Sequence, residues 1–162
     1  MEGGRARRGG ESFERQKRER PKAEFRALRE TVGMTQGFLA SVLMVGDRSV
    51  RRWEGPDDRY YPPDDAWDLV DAALRRQRRV VALALARVDE TARERGGYPD
   101  VVTLTYWPSD EQHVAGSRVP DGGDWRMANA NSRLIAFALR RRGVRVAWSD
   151  GPTAPGQERI EA

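Results

Sequence analysis

The sequence has no cysteine and a single histidine, His113. The first absence excludes disulfides, thiolate zinc sites and a cysteine nucleophile. The second excludes multi-histidine metal centres and a histidine dyad. Lysine is nearly missing, with two residues against 27 arginines. That skew has two readings: GC-rich coding, or a use for forked guanidinium donors, which suit phosphate and guanine. No apolar run approaches the roughly 18–20 residues that a membrane-spanning helix needs. The charged N-terminus is not followed by the apolar stretch of a signal peptide. The expectation is a cytoplasmic protein with no membrane partner.

What is present is polar. Hydrophobic residues make up 38% of the 162 and charged residues 33%. The length suits one ordinary domain or two small ones. It allows a real core, but not two large lobes around a deep cleft. The net charge of +4 is unevenly placed. Residues 1–22 hold eight Arg/Lys and four Glu, whereas residues 23–162 hold 21 of each sign. Basicity alone therefore points to the N-terminal segment.

Residues 1–22 contain Gly3, Gly4, Gly9, Gly10 and alternating charges, and after Met1 their only large apolar residue is Phe13. Such a segment buries too little to offset its ordering entropy, and is expected to be a disordered basic tail. It is either a passive solvated tail or an arm that tracks DNA phosphates. Residues 23–62 read as three short helices. Phe25, Leu28 and Val32 recur at helical spacing before Gly33. Thr35 looks like an N-cap for a helix from Gln36 to Leu43, burying Leu39, Val42 and Leu43. A turn at Met44–Gly46 leads into a helix from Asp47 to Glu54, burying Val50 and Trp53.

Residues 63–150 open with a long helix from Pro63 to Arg95, acidic at its start and arginine-rich after Asp71. One heptad register aligns Trp67, Leu74, Val81 and Val88 on one seam, and Val70, Gln77, Ala84 and Thr91 on the other. The seam either packs on its own domain or pairs with a second copy, and a break near Arg75–Arg79 also fits. Gly96, Gly97 and Pro99 end the helix. A strand from Val101 to Trp107, a polar stretch over 108–123, a helix from Trp125 to Arg142 and a strand from Val144 to Ser149 follow. Val144, Val146 and Trp148 should share one face. Residues 151–162 read as a loose tail. The fold class expected is mainly α with a small α/β C-terminal part.

The strongest motif runs from Thr35 to Glu54 without a gap. Thr35, Gln36, Leu39, Ala40, Leu43, Val45, Val50 and Glu54 match the helix-turn-helix pattern of the phage repressor, Cro and XRE-type regulators, which this segment resembles. It departs at Met44, where the family prefers glycine. Met44 must adopt a positive φ at a cost of about 1 kcal/mol, or the turn must differ. The spacing itself turns Val50 and Trp53 inward and leaves Asp47, Arg48, Arg51 and Arg52 on the other side. An arginine can pair bidentately with guanine O6 and N7. The resemblance implies a lambda-repressor-like bundle in which Gln36, Asp47, Arg48 and Arg52 read bases. It places Ser49 and Arg51 where phosphate contacts are common. Asp47 either accepts from a cytosine amine or caps its helix. The resemblance also implies an ion pair between Arg29, seven residues before Gln36, and Glu54.

The order long helix, strand, helix, strand, with Asp124-Trp125-Arg126 and Asn129-Ala130-Asn131-Ser132-Arg133 opening the second helix, resembles a narrower group. These are the YdiL-like regulators and the anti-CRISPR-associated (Aca) regulators, which carry a C-terminal dimerisation domain. That resemblance implies a homodimeric autorepressor bound to an inverted repeat in double-stranded DNA, in a phage or mobile-element operon. The alternative is an antitoxin-like module whose C-terminal half grips a protein. RNA binding has no aromatic platform in the sequence to support it. Asp110, Glu111, His113, Asp121 and Asp124 cluster in the polar stretch, but no spacing there matches a metal motif. With no glycine-rich phosphate loop after a strand, and no nucleophile–base pair, the expectation is a protein with no catalytic role, metal or cofactor.

Overall fold

Prolines and glycines punctuate the chain, and regular structure fills the intervals between them. The computed structural model describes residues 20–116, 123–151 and 159–160. Most of the tail expected over residues 1–22, and the segments 117–122, 152–158 and 161–162, lie outside the described residues. The elements in chain order are α1 (Lys22–Thr31), α2 (Gln36–Val42), α3 (Asp47–Glu54), α4 (Asp64–Arg95), β1 (Val101–Thr105), α5 (Asp110–Gly116), α6 (Trp125–Arg141), β2 (Arg145–Ser149) and β3 (Arg159–Ile160). The protein is mainly helical with a small parallel sheet towards the C-terminus. Among the described residues no helix is long and apolar enough to cross a membrane.

The chain divides into two compact units: one joins the residues up to Glu30 to Thr35–Asp71, the other joins Thr31–Met34 to the residues from Ala72 on, so that α4 passes from the first to the second after Asp71. The reason is aromatic. Trp67, on the second turn of α4, packs edge-on against Phe25 of α1 at 5.0 Å, and both are buried. Ala66 and Val70 are buried in the same turns. Order also begins before residue 23. Arg20 grips Asp71 with two hydrogen bonds of 2.6 and 2.9 Å, and its guanidinium lies 3.9 Å from the Trp67 ring centre. Two strong donors and a stacked ring outweigh the polar composition there.

In the first unit α2 starts where Thr35 accepts a hydrogen bond from the Phe38 amide at 3.0 Å. It ends one residue earlier than expected. Val42 is 46% exposed, and Ala40 is buried beside Leu39 instead. The turn that follows has Met44 at φ 54°. The Val45 amide donates to the Ala40 carbonyl at 2.9 Å, and the Met44 amide to Ser41 at 3.2 Å. This is the Schellman pattern that satisfies the last carbonyls of a helix, and it favours glycine at the left-handed position. The Met44 side chain is 91% exposed, so its packing offsets none of the backbone cost. Met44→Gly is expected to raise stability by roughly 0.5–1 kcal/mol in a denaturant titration. Gly33, which belongs to the second unit, shows the opposite constraint. At φ 75° it lies so close to α6 that a Cβ would sit 2.5 Å from the Arg126 carbonyl oxygen.

In the second unit Ala84 and Val88 of α4 join Val102 and Leu104 of β1, Ile135, Ala136 and Leu139 of α6, and Val144 in one aliphatic cluster. Val81 packs against its edge. The seam of α4 thus faces its own domain, and the helix runs unbroken through Arg75–Arg79. Gln77, buried on that seam, donates to the Thr31 carbonyl at 3.0 Å and so serves the C-terminal end of α1.

The sheet order is β2-β1-β3, all parallel. β1 stops at Thr105, two residues short of expectation, because Asn129 takes over the backbone beyond it. Its amide donates to the Trp107 carbonyl at 2.8 Å, and its oxygen accepts from the Trp107 amide at 2.7 Å. Ser132 donates to the Thr105 carbonyl at 2.8 Å. Helix α6 therefore substitutes for a strand neighbour at this end. Asn129→Ala would orphan a buried donor and a buried acceptor. The expected loss is about 2–4 kcal/mol by chemical denaturation. The two residues of β3 fall in the segment expected to be a loose tail, where backbone pairing with Thr103 and Leu104 holds them.

Candidate nucleic-acid interface

Helix α3 begins at Gly46 with no side-chain cap, so Asp47 does not cap it. Val50 is fully buried and Trp53 half-buried. These two fix the rotation of the helix, and the 3.6-residue repeat then sends Asp47, Arg48, Arg51 and Arg52 outward. All four are exposed, whereas Ser49 is half-buried at the margin of that face. Among the described residues Arg48, Arg51 and Arg52 have no ion pair.

Glu54, the carboxylate that closes the helix, is occupied by other partners. Glu54 accepts from Arg29 Nε at 2.5 Å and Nη2 at 3.0 Å, and from Gln36 Nε2 at 2.7 Å. The Arg29 and Glu54 side chains retain 8% and 4% of their exposure. The pair implied by the resemblance is therefore present, buried and bidentate. It also draws in Gln36. That side chain, assigned by the resemblance to base reading, is bound to Glu54 and ties α2 to the end of α3.

The loop after α3 extends this surface. Arg48, Arg51 and Arg52 line an open groove of about 340 Å³ with Gly55, Pro56, Asp57, Arg59 and Tyr60. The Arg52 guanidinium lies 4.8 Å from the Tyr60 ring centre, a cation–π distance. Arg59 bonds Asp57 through Nε at 3.0 Å and Nη2 at 2.7 Å. That side-chain hydrogen bonding, with the Arg59 backbone amide, holds the Asp57 carboxyl down to about 2. Lys22 anchors the loop from beneath, donating to the Gly55 and Asp57 carbonyls at 2.7 and 2.8 Å. Arg59 and Tyr60 were not among the residues expected from the motif. The signal for them was local: an arginine and two tyrosines that begin five residues past the closing glutamate.

The arrangement presents exposed guanidinium groups and one aromatic face, on which the Arg52 guanidinium rests. Asp124 caps α6, accepting from the Arg126 and Met127 amides at 2.9 and 3.0 Å. His113 is buried with its ring 5.5 Å from Trp107. Asp121 lies outside the described residues, among which no three His, Asp or Glu come together as metal ligands would. No family model matches the chain, and no curated protein matches it.

Proposed function

We propose that this protein is a sequence-specific regulator that binds double-stranded DNA, with α2, the Leu43–Gly46 turn and α3 acting as a helix-turn-helix. The observation that carries this reading is the outward arc of Arg48, Arg51 and Arg52, without carboxylate partners among the described residues while Glu54 is sequestered by Arg29 and Gln36. A helix with that face in the major groove would offer Asp47, Arg48 and Arg52 to base edges, and Arg51 with Ser49 to phosphate. The groove containing Arg59 and Tyr60 suits the sugar-phosphate backbone flanking the site. Gln36 acts through Glu54 in this reading, positioning α3 rather than reading a base.

Homodimerisation and repression of the protein's own operon complete the proposal and rest on the resemblance. Two copies would read half-sites about one helical turn, ~34 Å, apart. The test is enrichment from a random pool of duplex DNA, with light scattering of the purified protein. The expected result is one enriched sequence with two-fold symmetry, bound by a dimer. Recovery of no preferred sequence would overturn the reading.

A further inference from the structure

The neutral body hides a strongly basic segment. From Trp125 to Ser149 there are six arginines and no aspartate or glutamate. Two of the six are answered from outside that segment: Arg142 pairs with Asp89 at 3.2 Å, and Arg126 lies 3.8 Å from Asp124. Arg133, Arg140, Arg141 and Arg145 have no ion pair among the described residues.

Three of these share the outer face of α6 with Phe137, which is 63% exposed. Positions 133, 137, 140 and 141 are three or four apart and form one surface row. The Arg141 guanidinium is 5.9 Å from the Phe137 ring centre. At the other end Arg133 donates to the Tyr106 hydroxyl at 2.8 Å, and Tyr106 meets Trp148 edge-on at 5.6 Å. Tyr106 and Trp148 are 37% and 43% exposed. The result is a continuous strip in which cations alternate with open rings: Arg141, Phe137, Arg133, Tyr106, Trp148.

We infer that this strip binds single-stranded nucleic acid, as a site separate from α3. Charge decides against self-pairing. A two-fold interface sets a patch against its own copy, and here arginines would face arginines with no carboxylate between them. The rings decide among anions. Unpaired bases offer open π-faces to stack on exposed aromatic side chains, while the phosphates between them meet the guanidinium groups. A duplex keeps its bases stacked inside, and the carboxylates of an acidic peptide are not interleaved with an aromatic ring at every repeat, as phosphates are with bases.

The full chain is titrated with fluorescent oligo-dT and oligo-rU of roughly 15 nucleotides, long enough to span a site of this class. Wild type is expected to bind both and to lose tryptophan fluorescence as bases stack on Trp148. Phe137→Ala, and separately the pair Arg133→Gln with Arg141→Gln, should each weaken binding by about tenfold. Titration of the same samples with the duplex enriched through α3 should give wild-type affinity, so failure of one reading is distinguished from failure of the other. These side chains are exposed, and melting curves confirm that the variants fold; should Phe137→Ala unfold, the arginine pair carries the test. Unchanged oligonucleotide binding in the variants would overturn the inference. So would equal competition by polyglutamate, which would show charge without stacking. A fall in mass by light scattering with no effect on oligonucleotide binding would assign the strip to self-association and overturn it as well.

Discussion

Replacing Arg29 by alanine is expected to destabilise the protein by about 3–5 kcal/mol, the cost of leaving a buried carboxylate without its cation. Glu54 would keep only the Gln36 amide, a neutral donor that balances none of its charge. The loss is a large fraction of the 5–15 kcal/mol that typically stabilises a whole domain. It should appear as a lower midpoint in a urea titration followed by tryptophan fluorescence. Replacing both partners together, Arg29→Met with Glu54→Leu, should cost far less, since no charge then remains to be desolvated. It would also release Gln36 from Glu54. The double variant therefore separates stability from binding: a folded protein in which the end of α3 has lost its polar tie to α1 and α2. A loss under ~1 kcal/mol for Arg29→Ala would instead mark the pair as a solvated one.

The second large effect falls on binding and leaves stability nearly untouched. Arg48 and Arg52 are exposed, and neither packs in the core. Alanine at either position should weaken binding to the preferred duplex by ~1–3 kcal/mol and relax selectivity at one base pair. Arg52 carries a further term. Its guanidinium is already ordered against Tyr60, so less entropy is lost when it meets a base. Tyr60→Ala should therefore reproduce part of the Arg52→Ala defect. Arg51→Ala should behave differently. A phosphate contact lowers affinity for all sequences alike and reduces the slope of affinity against salt by about one. The three arginines are thus distinguishable by selectivity and salt dependence, although all three are exposed.

Much of the first unit was legible in the sequence. Thr35 marked a helix start because a side-chain oxygen there meets the Phe38 amide, a local rule that needs no tertiary knowledge. The spacing of Val50 and Trp53 set the outward face of α3 for the same reason. The turn pattern left Met44 two choices, a positive φ or a different turn, and the structure has the positive φ. What local pattern could not supply was the partner of each polar group. Gln36 has the same composition whether it faces a base or Glu54. Arg20 looked like one more charge in a polar run, and its order comes from Asp71, 51 positions away. The strip on α6 was hidden by averaging. Counting charge over residues 23–162 gave neutrality and concealed that residues 125–149 contribute arginines alone; what needed the structure was the placement of Tyr106 beside Arg133 and of Trp148 against Tyr106.

The most direct measurement is a fluorescence anisotropy titration on two duplexes of equal length and composition. One carries the sequence enriched from the random pool, the other a scramble of it. Wild type and the double variant Arg48→Ala, Arg52→Ala are compared at one salt concentration, because phosphate contacts make affinity salt-dependent. If α3 reads sequence, wild type prefers the enriched duplex by a factor on the order of 10³ or more. The double variant binds both duplexes at the weak level of the scramble, with unchanged melting behaviour. Retention of the full preference by the folded double variant would contradict the assignment of α3 as the reading helix.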